Sequence, residues 1–190
     1  ALRERAALLA GKEITIAETL VAMGVSVTLL ATLVPVYFQS VTSTLTAHGQ
    51  SMATMLAAAK LEQLRGLTFG VEDAGAAGLL RVTDTVTDLT RPGLSAGGAG
   101  LSPSPPGTLL RDVDGFVDYA DAAGRWVGSA LAPGSAAAYA RRWAITPLPA
   151  SPDDAVVLQV VVVPLASERR AGPRTTATRR PGDAWLTLVR

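Results

Sequence analysis

One acidic residue stands near the start of a long apolar run. Glu18 is the sole charged side chain within residues 14–38, ITIAETLVAMGVSVTLLATLVPVYF. A carboxylate inside a membrane costs about 3 kcal/mol by insertion scales, so a chain that keeps one there needs a donor or a cation beside it. The chemistry that Glu18 indicates is electrostatic pairing, in which an opposing charge in a low dielectric restrains the position of a helix.

Four aspartates form a second set of side chains that could do chemistry: Asp112, Asp114, Asp118 and Asp121. Carboxylate oxygens at short spacing are ligands for calcium. No glutamate follows at the EF-hand distance, however, and the glycines at 115 and 124 suit turns between strands. The pattern favours a β-hairpin with a turn over residues 121–124 and no bound cofactor. A calcium site at these aspartates is the alternative.

The sequence contains few of the residue types that form common catalytic sites. The chain has one histidine, His48, and no cysteine, which excludes thiol catalysis, disulfides and cysteine-ligated metal. A catalytic triad or a histidine metal site cannot be assembled from these parts. Walker and Rossmann patterns do not occur either. The one GxSxG match, GLSAG at 93–97, lies in a predicted loop and not in the strand–turn–helix elbow that the motif requires. The sequence therefore predicts a protein that is not an enzyme.

Charge is balanced overall but uneven along the chain. The formal net charge is +1, which gives no global reason to predict nucleic-acid binding. Arginines cluster at 141–142 and again between residues 169 and 180. Solvated strand ends and loops are the favoured interpretation of these clusters, and a patch for an anionic ligand is the alternative.

The apolar run that contains Glu18 predicts a transmembrane helix over residues 14–38. Roughly 20 apolar residues in a helix cover the hydrocarbon core of a bilayer. Arg3, Arg5 and Lys12 precede the run, and no Lys or Arg follows it until Lys60. The positive-inside rule then predicts a cytoplasmic N-terminus and an exported remainder. A cleaved secretory signal is the alternative to an anchor.

The helical pattern continues beyond the apolar run. No proline occurs between residues 39 and 66, and residues at four-and-three spacing predict one packing face. The side chains on that predicted face are Val41, Leu45, His48, Met52, Met55 and Ala59. The soluble half of the helix is predicted over residues 39–69, and Pro35 is expected to kink the helix rather than end it.

Residues 70–190 predict a loop-rich β-domain. The stretch SAGGAGLSPSPPG at 95–107 is typical of a flexible loop. Strands are predicted over residues 79–89, 115–119, 139–147, 155–164 and 184–189. The fold class predicted is α+β, with a long N-terminal helix packed on a small antiparallel β-sheet.

The helix carries a resemblance to a known family. ITIAETLVAM, followed by the apolar stretch, resembles the N-terminal methylation segment of type IV pilins and type II secretion pseudopilins. In that register Ile14 takes the first mature position, Thr15 the second and Glu18 the fifth, and Pro35 lies where many pilins carry a proline. AAAKLEQLRGLTF at 57–69 and the strands YARRWAITPLP and VVLQVVVV are similar to minor pilins and pseudopilins of the I/V type. The resemblance implies a pilin-like fold.

The resemblance also implies a function. The chain would be a structural subunit, a minor pilin or pseudopilin, anchored in the bacterial inner membrane with a periplasmic domain that reaches the cell surface within a filament. Its implied partners are other pilin subunits, an inner-membrane assembly platform driven by a cytoplasmic ATPase, prepilin peptidase and membrane lipid. Thr15, Glu18 and Pro35 would serve assembly, with Glu18 meeting the N-terminal amine of a neighbouring subunit.

The processing junction departs from the family pattern. Glu13 stands where the family has glycine before the first mature residue, and Gly11 would place Glu18 seventh. Residues 1–13 therefore read as a leader-like segment that is either divergent or retained. With the leader retained, Glu18 would pair with Lys12 of a neighbour, pair with the Thr15 or Thr19 hydroxyl, or remain protonated. Two other functions stay open: a single-pass protein with an exported binding domain, and a major subunit of an unusual filament.

Overall fold

The computed structural model describes residues 15–73, 79–172, 174–176 and 178–190. The leader-like segment 1–13 and the junction of Glu13 with Ile14 lie outside the described residues. The chain divides into two compact units, residues 1–45 and residues 46–190. The first unit is described from Thr15 onward, and helix α1 runs from it into the second unit.

Helix α1 spans Ile16–Arg65, with Pro35 inside it. The helix is unbroken at the proline, as predicted, although its C-terminal end comes earlier than residue 69. The amide of Gly66 still donates to the carbonyl of Glu62 at 2.9 Å. Strand β1 begins at Phe69, so of the residues assigned to the end of the helix from sequence, 66–68 form a turn and Phe69 belongs to the hairpin.

The part of α1 in the first unit is solvent-exposed along its whole length and mostly apolar as far as Phe38. Every residue from Thr15 to Leu45 is exposed. Hydroxyl groups within it donate back to helix carbonyls, as Ser26 does to Ala22 and Thr28 to Gly24, each at 2.8 Å, so they leave few unpaired donors on the surface. In the described part of the chain, α1 is the one helix long and apolar enough to cross a membrane.

Two antiparallel sheets follow the helix in the second unit. A separate hairpin is made by two strands, β1 (Phe69–Asp73) and β2 (Leu79–Thr83). The larger sheet has the order β4-β3-β5-β6-β7. Its strands are β3 (Val117–Ala120), β4 (Trp126–Gly128), β5 (Tyr139–Leu148), β6 (Ser151–Pro164) and β7 (Ala184–Val189). A short helix, α2 (Leu165–Ala171), lies between β6 and β7.

The predicted strands at 139–147, 155–164 and 184–189 are confirmed as β5, β6 and β7. The segment at 79–89 was predicted too long, because its strand ends at residue 83. The hairpin predicted around residues 121–124 is confirmed, since β3 and β4 pair antiparallel across it. Gly124 has φ +82° there, a backbone conformation that glycine adopts without strain.

The core of the second unit lies between the sheet and one face of α1. The buried helix residues are Ala53, Leu56, Ala57, Lys60 and Leu64. They pack with sheet residues that include Trp143 and Leu158. The face predicted from sequence was wrong for most of its residues, because Leu45 and His48 are exposed and Met55 is 67% exposed. Met52 is the predicted residue that packs against the core. Lys60 lies in the middle of the helix face that is buried. Because that face is interrupted by a charged residue, apolar periodicity in the sequence does not identify it.

The glycine-rich segment predicted as a flexible loop is bound to the preceding turn. The amides of Gly98 and Gly100 donate to the carbonyls of Val86 and Thr87 at 3.0 Å. Leu101, which follows directly, is only 2% exposed and belongs to the main core cluster. The glycines here allow two backbone segments to approach closely, and the segment is packed against the domain.

Candidate functional site

Glu18 and Thr15 form a reciprocal cap at the start of α1. The backbone amide of Thr15 donates to Glu18 Oε2 at 3.0 Å, and the Thr15 hydroxyl donates to the same oxygen at 3.2 Å. The amide of Glu18 in turn donates to Thr15 Oγ1 at 3.2 Å. This is the capping box, in which an N-cap Thr and a Glu three residues later satisfy each other's backbone amides.

The cap explains why α1 begins where it does. A carboxylate at the first turn also interacts favourably with the partial positive charge of the helix N-terminus. Of the partners predicted for Glu18, the structure shows the Thr15 hydroxyl, whereas the Thr19 hydroxyl donates to the carbonyl of Ile16 at 2.8 Å. The Thr-x-x-Glu spacing is itself a helix-start signal, and the sequence reasoning did not use it.

The structure does not bring Pro35 to the same site. Thr15 and Glu18 share the first turn of α1, and Pro35 lies 17 residues beyond Glu18 in the same helix. At the standard rise this separation is about 25 Å along the axis. If Pro35 contributes to assembly, it does so through the shape of the helix and without contacting the carboxylate.

The four aspartates considered for calcium lie in separate environments. Asp112 accepts hydrogen bonds from Tyr119 Oη at 2.8 Å and from Arg142 Nε at 2.7 Å. Asp121 bonds the backbone and side chain of Arg125 in the β3–β4 turn. Asp114 is exposed, and Asp118 is fully buried with two cations.

No group of three or more His, Cys, Asp or Glu side chains able to hold a metal occurs among the described residues. Three of the four aspartates already have cationic side chains as partners, so their charge does not call for a metal. A rise in the melting temperature of the full chain on adding calcium is the result that would restore the calcium hypothesis.

Asp118 belongs to a buried ionic cluster, the Lys60 cluster, made of Lys60, Asp118, Arg141 and Trp143. Lys60 Nζ lies 2.7 Å from Asp118 Oδ2, with 1% of each side chain exposed. Arg141 binds both oxygens of Asp118, at 2.5 and 2.8 Å. The Lys60 ammonium also donates to the carbonyl of Leu89 at 2.6 Å and lies 4.1 Å from the centre of the Trp143 ring.

Burial lowers the pKa of Lys60 to about 8, although the nearby Asp118 carboxylate favours the charged form. Removing an ammonium from water is unfavourable, and the carboxylate and the aromatic face compensate for it only in part. Helix α1 supplies the lysine, β3 the aspartate, and β5 the arginine and the tryptophan. The cluster therefore fixes the helix against two neighbouring strands.

Arg142, the next residue on β5, organises a second set of charges. Its guanidinium binds Asp112 and also both oxygens of Glu168, at 2.7 and 2.9 Å. Burial alone would raise the pKa of Glu168, but bonds and charges from Arg142 and Arg174 outweigh it and lower that pKa. Burial and the hydrogen bond to Asp112 raise the pKa of Tyr119. The prediction that residues 141–142 are solvated was wrong.

Arg174 extends this set of ion pairs from Glu168 to Asp183, which directly precedes strand β7. Arg174 donates to Asp183 Oδ2 at 2.6 Å, and the backbone amide of Arg180 donates to that oxygen at 2.7 Å. Gln50 of α1 donates to the Asp183 carbonyl at 3.2 Å. The segment between α2 and β7 is therefore bound to the domain at Asp183.

These two sets of buried charges and the Thr15–Glu18 cap are the distinctive chemical features of the chain. No protein-family model, curated protein or solved structure matches it. The buried charges hold the domain together, and the exposed cap stands at the start of the apolar helix. The function of these features is therefore inferred from their geometry alone.

Proposed function

We propose that this chain is a structural, non-catalytic subunit of a type IV pilus-like or type II secretion filament, a minor pilin or pseudopilin. The observation that carries the proposal is the division of α1 into two environments. Residues from Thr15 to Leu45 are exposed on every side, yet most of those from Ile16 to Phe38 are apolar, whereas residues from Ala53 onward contribute to the core of an α+β domain. Such a surface requires lipid or other helices around it.

In the proposed cycle the apolar half of α1 first lies in the bacterial inner membrane, with the N-terminus in the cytoplasm and the β-domain in the periplasm. An assembly platform then moves the subunit into a filament, where neighbouring helices replace lipid. Helix packing without water depends on van der Waals contact and on interhelical polar pairs. Glu18 is the sole acidic residue of this half and therefore the natural member of such a pair.

The geometry of the cap leaves part of Glu18 available. Both Thr15 donors bind Oε2, and among the described residues no group donates to Oε1. One oxygen thus completes the helix start, while the other is exposed and able to accept a cation from a neighbour. The neighbour's free N-terminal amine, or its Lys12 when the leader is retained, has the required charge.

Two substitutions separate the charge of Glu18 from its capping role. Glu18→Gln retains a capping box, because glutamine serves at this position, but it removes the charge. Thr15→Ala retains the charge and breaks the cap, at a cost of about 1 kcal/mol to the helix start. We expect both variants to insert into membranes, Thr15→Ala to enter sheared filaments, and Glu18→Gln to be strongly depleted from them.

The measurement is the ratio of subunit in sheared filaments to subunit in membranes, by immunoblot, in a strain with an active assembly machine. Ser26→Ala is a matched control, because its hydroxyl serves only a carbonyl of its own helix. Normal incorporation of Glu18→Gln together with loss of Thr15→Ala would mean that Glu18 acts as a cap alone, and the assembly role of its charge would be wrong.

Processing is tested by the mass of the mature N-terminus. A chain that starts at Ile14 with one added methyl group is the expected product of prepilin peptidase and its methylation activity. An intact leader would instead leave Lys12 as the proposed counter-charge, and a Lys12→Gln substitution should then reproduce the assembly defect of Glu18→Gln.

A single-pass membrane protein with an exported binding domain is the second candidate function. The observation in its favour is the cap itself, since Thr15 satisfies Glu18 within one chain and a monomer needs no partner for it. A major filament subunit would differ from the proposed minor subunit only in its abundance within the filament. Retention of the unmodified chain in membranes, with none in filaments, would favour the single-pass protein.

A further inference from the structure

The segment from α2 to β7 contains more arginine side chains than form ion pairs in the folded domain. Its two carboxylates, Glu168 and Asp183, are bound by Arg142 and Arg174. Among the described residues, no ion pair engages the other four arginines of this segment. They are Arg169, Arg170, Arg179 and Arg180. Unpaired arginines concentrated on one short segment give a local positive potential that attracts anions.

Two of these arginines line a shallow cleft of about 390 Å³. Its walls are Ser167, Arg170, Ala171, Arg180 and Pro181. The lining therefore presents two guanidinium groups and one hydroxyl, with no carboxylate to neutralise them. A guanidinium presents five N–H donors in a planar fork and accepts no hydrogen bond. Most of the cleft surface is apolar, and Arg170, Arg180 and Ser167 are the lining residues whose side chains can donate to an anion of a few oxygen atoms.

Backbone carbonyls hold both guanidinium groups in place. Arg180 donates from Nη1 to the carbonyl of Gly172 at 3.0 Å, and Arg170 donates from Nε to the carbonyl of Ala166 at 3.2 Å. Each interaction uses one nitrogen, and the remaining N–H groups make no hydrogen bond within the described residues. Because the arginines are already restrained, less side-chain entropy is lost when they bind an anion.

We propose that this cleft binds a phosphate group, with Arg170 and Arg180 as the principal donors and Ser167 as a third. Phosphate matches the planar fork of arginine in bidentate geometry and offers oxygens to two forks at once. None of the described residues that line the cleft is aromatic, so they do not provide the stacking surface that single-stranded nucleic acids use. The site lies within the second unit, and this proposal is independent of the filament proposal.

The test is binding of inorganic phosphate to the full chain in an uncharged maltoside detergent, measured by calorimetry at constant ionic strength. The variant Arg170→Gln with Arg180→Gln should raise the dissociation constant by at least about tenfold, since charge-assisted bonds to two arginines are lost. Arg170→Gln alone changes one exposed residue of α2, keeps the Arg180 contact with Gly172, and is expected to weaken binding by a smaller factor.

The matched control is Arg91→Gln with Arg111→Gln, two exposed arginines outside the cleft. It removes the same net charge, so it should leave the dissociation constant within about twofold if the cleft is the site. Equal weakening by the control and the cleft variant would mean general attraction to a basic protein and would overturn the proposal. Absence of saturable phosphate binding by the wild-type chain would overturn it as well.

The source of the phosphate is separated by two further probes. Glycerol phosphate is a soluble monoester, and glycerophosphoglycerol is a soluble diester with the headgroup of an anionic phospholipid. Tighter binding of the monoester points to a free phosphorylated metabolite, and tighter binding of the diester points to a lipid headgroup. Either preference supports a phosphate site, provided that Arg170→Gln weakens it.

Discussion

A lysine and an aspartate meet inside the second unit, between a helix and a sheet. Lys60 and Asp118 lie 2.7 Å apart with 1% of each side chain exposed, and Arg141 completes the neutralisation of Asp118. Such a pair gains little over an apolar core, because desolvation offsets the attraction. The pair instead constrains how the helix packs on strand β3, because the ammonium and carboxylate groups must stay in contact.

Removing one member of this pair should be costly. For Lys60→Met we expect a loss of about 3 kcal/mol of unfolding free energy, because the Asp118 carboxylate stays buried with one partner fewer. Arg65→Met is the matched control, since Arg65 makes an exposed ion pair with Glu62 and such pairs contribute about 0–1 kcal/mol. Urea unfolding followed by tryptophan fluorescence measures both, and equal stability of the two variants would contradict the prediction.

The lowered pKa of Lys60 also predicts how stability changes with pH. The unfolded chain keeps this proton up to about pH 10.5, whereas the folded chain releases it near pH 8. Between these values the unfolded state binds more protons, so the free energy of unfolding should rise with pH, by about 1.5 kcal/mol from pH 8 to 9.5. Lys60→Met should lack this rise, and parallel profiles for the two proteins would show that another group is responsible.

At the scale of elements, the segment from residue 84 to 101 shows how a glycine-rich stretch can be ordered. Asp84 Oδ1 accepts the amides of Val86 and Thr87, each at 2.9 Å, and bonds to Thr87 lower the pKa of the Asp84 carboxyl. The returning residues 98–101 then lie against this turn, and the amides of Gly98 and Gly100 donate to its carbonyls. A Cβ placed on Gly98 would come within 2.0 Å of the Asp88 backbone, so only glycine fits.

Gly98→Ala should therefore destabilise the domain by about 2–3 kcal/mol, as overpacking does, because the alanine methyl would displace backbone. Gly134→Ala is the control, since nothing lies within 4 Å of a Cβ at that position, and we expect its melting temperature to stay near that of the wild type. A flexible segment at 95–107 would tolerate both substitutions equally, which is the result that would contradict the packed arrangement.

On the scale of the whole molecule, the described core lies entirely in the second unit. Every buried residue of the two hydrophobic clusters comes from position 53 or later. Residues 15–45 contribute no buried side chain. The buried core and the exposed apolar surface therefore belong to different parts of the chain.

A chain that begins at Thr46 should consequently fold alone. We expect it to stay soluble without detergent and to unfold cooperatively within a few degrees of the full chain, because it retains the whole buried face of α1 and both sheets. The full chain should remain with membranes in the same cell fractionation. Aggregation of the shortened chain, or loss of cooperative unfolding, would show that residues before Thr46 also support the domain.

Much of the secondary structure was predictable because its signals are local. The absence of proline over residues 39–66 and the valine-rich run of β6 indicate helix and strand without knowledge of any contact. The bounds were less accurate at the end of α1 and in β2, where pairing between Phe69 and Thr83 decides what forms. Strand β4 has three residues, too few for any pattern.

The sequence by itself determined the α+β class, the apolar half of α1 and the Thr15–Glu18 spacing, since each depends on residues close together in the chain. Tertiary structure alone decided which face of α1 is buried, that Arg141 and Arg142 point into ionic clusters, and that Arg170 and Arg180 share a cleft. The physical reason is that a charged side chain enters a core only beside its counter-charge. For Lys60 that counter-charge is Asp118, which only folding brings into contact with it.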